Sequence, residues 1–298
     1  MALVDASTLP REGADREREA CRALEGGHIL LFPETPFELT EPERQFLLRR
    51  RQTEGGYHKN IAYRPAADRV TGVARQNQED EHRLKELLRA YSGRAVRFTA
   101  GLLPRYGANW RIDFASFRPQ EEAGRRLSTH ARNDLLHVDS FPTRPTHGDR
   151  IFRIFTNVNP AAPRVWRTGE TFPELAERFA VSSGILAGIT RPGMARRFLS
   201  AVRSAGLPVP VRPLYDEFMH RFHNFLKENE AYQESARAEQ IRFPPGSTWM
   251  VFTDAVTHSV LSGQYALEQT FLIARESLLF PEVSPIAVLE RIAGRAMA

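Results

Sequence analysis

Asn133-Asp134-Leu135-Leu136-His137-Val138-Asp139-Ser140-Phe141-Pro142 is the stretch on which the reading of this chain turns. A strand over Leu135 to Phe141 sends residues two apart to one face, so His137 and Asp139 project together, with Leu135 before them. A neutral imidazole and a carboxylate so placed can take two adjacent positions on a divalent metal. One further His would complete a facial triad that leaves positions open for small ligands. By itself His-x-Asp is short enough to recur by chance among nine histidines, and His147-Gly148-Asp149 repeats it. Pro145, Thr146 and Gly148 surround that second pair with turn chemistry, which predicts solvated side chains. On this stretch alone, a structural role for His137 and Asp139 weighs as much as a metal-binding one.

The third ligand shifts the balance. Pro244-Pro245-Gly246 reads as a turn and Thr248 to Phe252 as a buried strand, followed by a short loop ending in His258 ahead of another apolar strand. No other histidine has such a setting. His82, His220 and His223 fall on predicted helices as surface or packing residues, and His28 opens a strand. His58 and His130 lie in polar loops, where a substrate role stays open.

Outward from these segments the chain reads as a single domain of 298 residues. Residues 1–105 form a mixed helix and strand wrap: helices over Glu17 to Leu24, from the Thr40-Glu41-Pro42-Glu43 capping box, and from about Asp80, with strands at His28 to Phe32 and Asn60 to Arg64. Residues 106–160 and 241–280 supply the β core, with strands from Trp110, at Arg150 to Val158, at Thr248 to Phe252 and at Leu267 to Ile273. Residues 161–240 are a mainly helical insertion, opened by a second capping box at Thr171-Phe172-Pro173-Glu174, with Leu214, Phe218, Phe222, Phe225 and Leu226 on one helix face. The predicted class is α+β, and the lack of β-α-β alternation argues against a doubly wound sheet.

Composition narrows the function. One cysteine, Cys21, excludes a disulfide framework and any multi-cysteine metal or iron–sulfur site. The net charge of +5 suits an anionic substrate or lipid surface and is too small for a dedicated nucleic-acid binder. The start shows no signal-peptide pattern and no apolar run reaches the roughly 18–20 residues that span a bilayer, so a cytoplasmic protein, free or peripheral on a membrane, is expected. Ile286 to Ala296 is a predicted amphipathic helix, read first as packed on its own domain.

The order of a His-x-Asp strand, an intervening segment, and Pro-Gly-Ser followed by His before a last strand resembles the Fe(II)- and 2-oxoglutarate-dependent dioxygenases. Three segments are similar to the Kdo hydroxylase family in particular: Leu135-Leu136-His137-Val138-Asp139-Ser140-Phe141-Pro142-Thr143-Arg144-Pro145, Arg153-Ile154-Phe155-Thr156-Asn157-Val158-Asn159-Pro160, and Ala266-Leu267-Glu268-Gln269-Thr270-Phe271. The resemblance implies a double-stranded β-helix (a jelly-roll, cupin-like core) with His137, Asp139 and His258 as catalytic metal ligands. It also implies Fe(II) as the metal, 2-oxoglutarate and O2 as cosubstrates, and hydroxylation at the 3-position of 3-deoxy-D-manno-oct-2-ulosonic acid (Kdo). The implied substrate is a Kdo-bearing lipid A precursor of the lipopolysaccharide inner core, met at the cytoplasmic face of the inner membrane; a homo-oligomer is allowed.

The distal carboxylate of 2-oxoglutarate needs a cation or several donors. Many relatives carry a basic residue ten to fifteen positions after the distal His, where this chain has Glu268, Gln269 and Thr270. Arg153 is the first candidate, because an arginine amid apolar neighbours needs an anionic partner when buried. Asn157 shares its face, and Gln269 and Arg275 lie on the last core strand or just beyond it. Arg144, Lys59, Asn60 and Arg64 are the candidate substrate contacts, and Arg49-Arg50-Arg51 could meet anionic head groups. Two alternatives remain at this stage: a dioxygenase of the same mechanism acting on another substrate, and a non-redox metal-binding β-barrel that binds sugars.

Overall fold

Two β-sheets face each other in the computed structural model, which describes residues 2–50, 60–73, 78–190 and 212–298. The larger sheet has the order β1 (Leu3–Asp5), β2 (Ile29–Phe32), β9 (Thr248–Phe252), β6 (Arg150–Asn157), β11 (Ala266–Ile273), β5 (Trp110–Arg118), β3 (Ile61–Arg64) and β4 (Arg69–Thr71). The smaller sheet runs β10 (Val256–Ser262), β7 (Arg164–Thr171), β8 (Glu239–Phe243).

Period-2 patterning decides what each face of the larger sheet meets. On β6, Phe152 and Ile154 point outward and join Phe252, Phe271 and Ile273 against the helices Ala14–Glu25 and Gln78–Leu102. Further along, Ile61, Tyr63, Ala115 and Phe117 pack on Leu84, Leu87, Leu88 and Tyr91 of that long helix. The opposite face of β6 carries Arg153 and Phe155, and Phe155 enters the apolar layer between the sheets with Trp249, Val251, Trp166, Phe243 and Val260. Each large apolar side chain buried this way contributes about 1.5–3 kcal/mol.

A fourth cluster lies behind the His-x-Asp segment. Leu136 and Val138 pack among Phe172, Phe218, Phe222 and Leu226 of the helices Phe172–Phe179 and Leu214–Glu228. Ile286, Val288 and Leu289 of the last helix, Pro285–Ala293, close the same cluster, so this amphipathic helix spends its apolar face on its own domain. Both predicted capping boxes, Thr40 with Glu43 and Thr171 with Glu174, are present.

The structure departs from the sequence expectations in four places. The expected wrap supplies four strands to the larger sheet, β1 and β2 at one end and β3 and β4 at the other. The insertion is bounded by strands: β7 opens it and β8 closes it, and the described helices lie between them. His258 sits within a strand, β10, and not in a loop. The expected strand from Leu135 to Phe141 reduces to a single bridge, His137 to His258. Its second edge faces helices, whose side chains satisfy the backbone there. Arg50 turns to Asp80 (2.5 Å) and stacks 4.1 Å from the Phe46 ring centroid; Arg51 and Lys59 lie outside the described residues. Among the described residues no helix is long and apolar enough to cross a membrane.

Candidate metal centre

His137 and His258 face each other across a hydrogen-bonded bridge, His137 N to His258 O at 3.1 Å and His258 N to His137 O at 3.0 Å. That register brings the two rings to 4.8 Å. A register shift in β10 between Val256 and His258 lies at this point, the kind of irregularity that re-aims a side chain beside a site. Asp139 follows two residues after His137 and donates its own N–H to Thr253 O at 2.8 Å, in the β9–β10 turn. The potential ligand atoms of His137, Asp139 and His258 all lie within 4.8 Å of one another. Among the described residues this is the one such group of His, Cys, Asp and Glu.

Hydrogen bonding fixes which atoms face inward. Nδ1 of His137 lies 2.7 Å from Leu135 O and Nδ1 of His258 lies 3.1 Å from Val256 O. A carbonyl only accepts, so both Nδ1 atoms carry the proton and both Nε2 lone pairs are left toward the centre, as metal-binding histidines require. Burial lowers the proton affinity of both rings, His137 most strongly, and keeps them neutral. Burial opposes ionisation of Asp139, but the Arg153 guanidinium outweighs it and holds the carboxyl far below its usual range. The two carboxylate oxygens divide the work: Oδ2 takes Arg153 at 3.0 Å, while Oδ1 stands 3.7 Å and 3.9 Å from the Nε2 atoms of His137 and His258.

Glu268 explains why no basic residue stands at its position. It accepts from Arg118 through Oε2, at 2.8 Å from Nε, and from Arg153 through Oε1. The two cations on this wall thus come from β5 and β6, and β11 supplies the acid that aligns them. Arg164 and Trp166, two apart on β7, line the same cavity. Arg164 is almost wholly buried, and among the described residues its Nε has no hydrogen-bond partner, nor has the Trp166 indole N–H. Burial, with the Arg118 guanidinium nearby, lowers its pKa to about 10 although Glu122 lies 3.6 Å away. Gly263 O accepts from Arg164 at 2.7 Å; at φ 109° and with a Cβ position 2.8 Å from Arg164 Cα, only glycine allows that approach.

Helical side chains complete the support. Gln233, on the helix Glu230–Ser235, accepts from Leu136 N and donates to Leu136 O, both at 2.9 Å, and also donates to Leu226 O. His223 reaches Val138 O at 2.7 Å and sets its ring edge-on to His137 at 4.8 Å; Trp166 stacks on His258 at 5.3 Å. Gln233→Ala removes three hydrogen bonds from this support and is expected to weaken cobalt(II) binding about 10- to 100-fold. A spectrophotometric metal titration checks it, and unchanged affinity would remove Gln233 from the support.

The other sequence candidates separate into three groups. Arg153 lies in the cavity and pairs with Asp139 and Glu268. Asn157, Gln269 and Arg275 do not reach it. The Asn157 amide donates to the carbonyls of Ala162, Phe243 and Pro244, tying the end of β6 to the turn after it and to the end of β8. Gln269 points to the opposite face from Glu268 and bonds Asp113 O and Thr270 O, and Arg275 pairs with Glu290 at the surface. Asn60, Arg64 and Arg144 fall on or beside the β3–β5 part of the sheet. Arg118, Arg164, Trp166, His223 and Gln233 were not legible as site residues. Arg118 and Arg164 carried a weak signal as arginines beside apolar residues; Trp166, His223 and Gln233 carried none. His147 is exposed at a turn, as its neighbours predict.

The sequence profile of the 3-deoxy-D-manno-oct-2-ulosonic acid (Kdo) hydroxylase family matches residues 9–296. No curated protein matches. A crystal structure of the Kdo hydroxylase KdoO, a non-heme Fe(II) α-ketoglutarate dependent dioxygenase, in complex with α-ketoglutarate and Fe(III), is 34% identical with a TM-score of 0.84. The match covers 100% of this chain and 98% of that one. The cobalt(II) complex of KdoO is 35% identical with a TM-score of 0.84, covering 99% and 97% of the two chains. The complex with succinate and Fe(III) is 35% identical with a TM-score of 0.82 and the same coverage. With its full-length profile match and a relative this similar over both chains, the protein belongs to the Kdo hydroxylase family.

Proposed function

We propose that the protein is an Fe(II)- and 2-oxoglutarate-dependent dioxygenase that hydroxylates the 3-position of a Kdo sugar in Kdo-bearing lipid A, with His137, Asp139 and His258 as its metal ligands. The observation that carries this reading is the convergence of two Nε2 lone pairs and one carboxylate oxygen in a single cavity. Such a donor set suits Fe(II) and leaves positions for a 2-oxoacid and O2. The fit extends to the cosubstrate: the buried Arg164 Nε and Trp166 N–H without protein partners are what a carboxylate would satisfy. Arg164 is therefore our candidate for the distal carboxylate of 2-oxoglutarate, with Arg153 and Arg118 adding positive potential from the opposite wall.

Bound iron would supply the oxidant, formed as O2 oxidatively decarboxylates 2-oxoglutarate to succinate and CO2, with one oxygen atom ending in succinate and the other in the hydroxylated acceptor. The chain's own residues supply the rest. Arg153 keeps Asp139 ionised and turns one of its oxygens away from the ligand position. The backbone carbonyls of Leu135 and Val256 hold both imidazoles in the coordinating tautomer. Trp166, Phe155 and Val260 wall the cavity with apolar surface and limit water.

The two facing sheets support a double-stranded β-helix within a single domain, with the triad between them. The reading extends to a lipid A precursor at the cytoplasmic face of the inner membrane, where a net charge of +5 favours an anionic surface. Anaerobic addition of Fe(II) and 2-oxoglutarate should give a weak visible charge-transfer band, and Kdo–lipid A should then stimulate succinate release. A folded protein with neither response would instead fit a non-redox sugar-binding module.

A further inference from the structure

Three arginines and two phenylalanines alternate in one strip that begins at the triad. Arg153, paired with Asp139, has its guanidinium 5.9 Å from the ring centroid of Phe141. Arg144 stands 4.5 Å from Phe141 and 4.0 Å from Phe114, and Arg64 stands 4.8 Å from Phe114. The members come from four places in the chain: β6, the loop after Asp139, β5 and the end of β3. Among the described residues, the three-stranded sheet pairs its apolar face with β2, β6 and β9, so β5 and β3 carry this strip beyond it.

Arginines stacked on aromatic rings often do no more than cover apolar surface. Two features here ask for more. A guanidinium stacked by its face keeps its in-plane N–H donors for an anion. The Arg144 side chain is 38% exposed and is held in place by Asp113, while Arg64 makes no ion pair among the described residues. In addition, Arg64 Nε, Asn60 Oδ1 and Ser140 Oγ, on members of the strip or close to them in the chain, are buried without partners among the described residues, which folding alone would have been expected to satisfy.

We propose that this strip binds the anionic saccharide acceptor, with Arg144 and Arg64 gripping a carboxylate or phosphate of the glycan and Phe114 carrying a sugar face. The proposal rests on the hydroxylase reading above and extends it to the acceptor. Arg153 would mark the inner end of the path, and Arg144, one ring further out, would fix how far the acceptor enters.

Calorimetric binding of detergent-dispersed Kdo–lipid A to the anaerobic cobalt(II) protein tests it, alongside acceptor kinetics of the iron enzyme. Arg144→Gln should weaken binding and raise KM about 10- to 100-fold, as loss of a charged hydrogen bond does, and Arg64→Gln somewhat less. His147→Ala, at a solvated turn, should match wild type. The source of the anion follows from two modified acceptors, one esterified at the sugar carboxyl and one stripped of lipid phosphates. The modification whose penalty disappears in Arg144→Gln names the group it grips. Equal binding by wild type and both arginine variants would overturn the strip, whatever the turnover. A wild type that binds the acceptor with the predicted arginine dependence yet never oxidises it would sink the hydroxylase reading and leave the strip standing.

Discussion

Asp139→Ala is expected to abolish turnover, by roughly 10³-fold or more, and to remove high-affinity Fe(II) and cobalt(II) binding. The substitution deletes the one anionic donor between two neutral imidazoles. It also leaves the Arg153 guanidinium facing the position a cation would take, with Glu268 and Asp113 left to balance it. The residual site is two imidazoles beside a positive charge, which repels a divalent ion. Asp139→Asn separates the two contributions, because it keeps the volume and a donor oxygen while losing the charge. Metal affinity by titration, and succinate release at saturating 2-oxoglutarate, are the measurements. Retention of activity within tenfold of wild type by the alanine variant, with its fold intact by circular dichroism, would remove Asp139 from the ligand set.

The second large effect concerns stability. Arg150 and Asp254 are 0% and 1% exposed, and Arg150 Nε lies 3.1 Å and 3.0 Å from the two Asp254 oxygens. Asp254 also accepts from Ile151 N, and the guanidinium stacks 4.3 Å from the centroid of Phe252. Burial raises the Asp254 pKa despite this partner. Removing one member strands the other. Asp254→Ala should cost about 3–5 kcal/mol in denaturant-induced unfolding, whereas a double replacement of the pair by apolar residues should recover much of that loss. The pair anchors the β9–β10 turn, whose Thr253 receives the Asp139 N–H and donates to Ile151 O, so metal affinity should fall with stability. A single variant as stable as wild type would show that water reaches the pair after all.

The parts of the fold written in strong local patterns were legible. Thr248 to Phe252 is a strand with those same bounds, Arg150 to Val158 and Leu267 to Ile273 are within a residue of the observed β6 and β11, and both capping boxes start helices where read. β7 was missed because Arg164-Val165-Trp166-Arg167-Thr168-Gly169-Glu170-Thr171 places charge at a buried position, which local pattern reads as surface. That charge faces the metal cavity, and only tertiary structure shows what it faces. The His-x-Asp segment failed as a strand for the complementary reason: its apolar residues, Leu136 and Val138, answer to helices and not to a neighbouring strand. Of the candidate cosubstrate residues, Arg153 was visible as an arginine amid apolar positions. Its partner Glu268 was visible only as the absence of a base.

Because the backbone around His137 is fastened by a glutamine and a histidine from the helical layer, and not by a second strand, half of its anchorage is independent of the β ladder. Releasing two side chains frees one flank of a ligand without breaking a rung between core strands. Sub-global openings of this kind occur at free energies well below that of complete unfolding. With His137 as a ligand in the proposed reading, loading and loss of an ion would follow opening of the helical layer and not of the sheets.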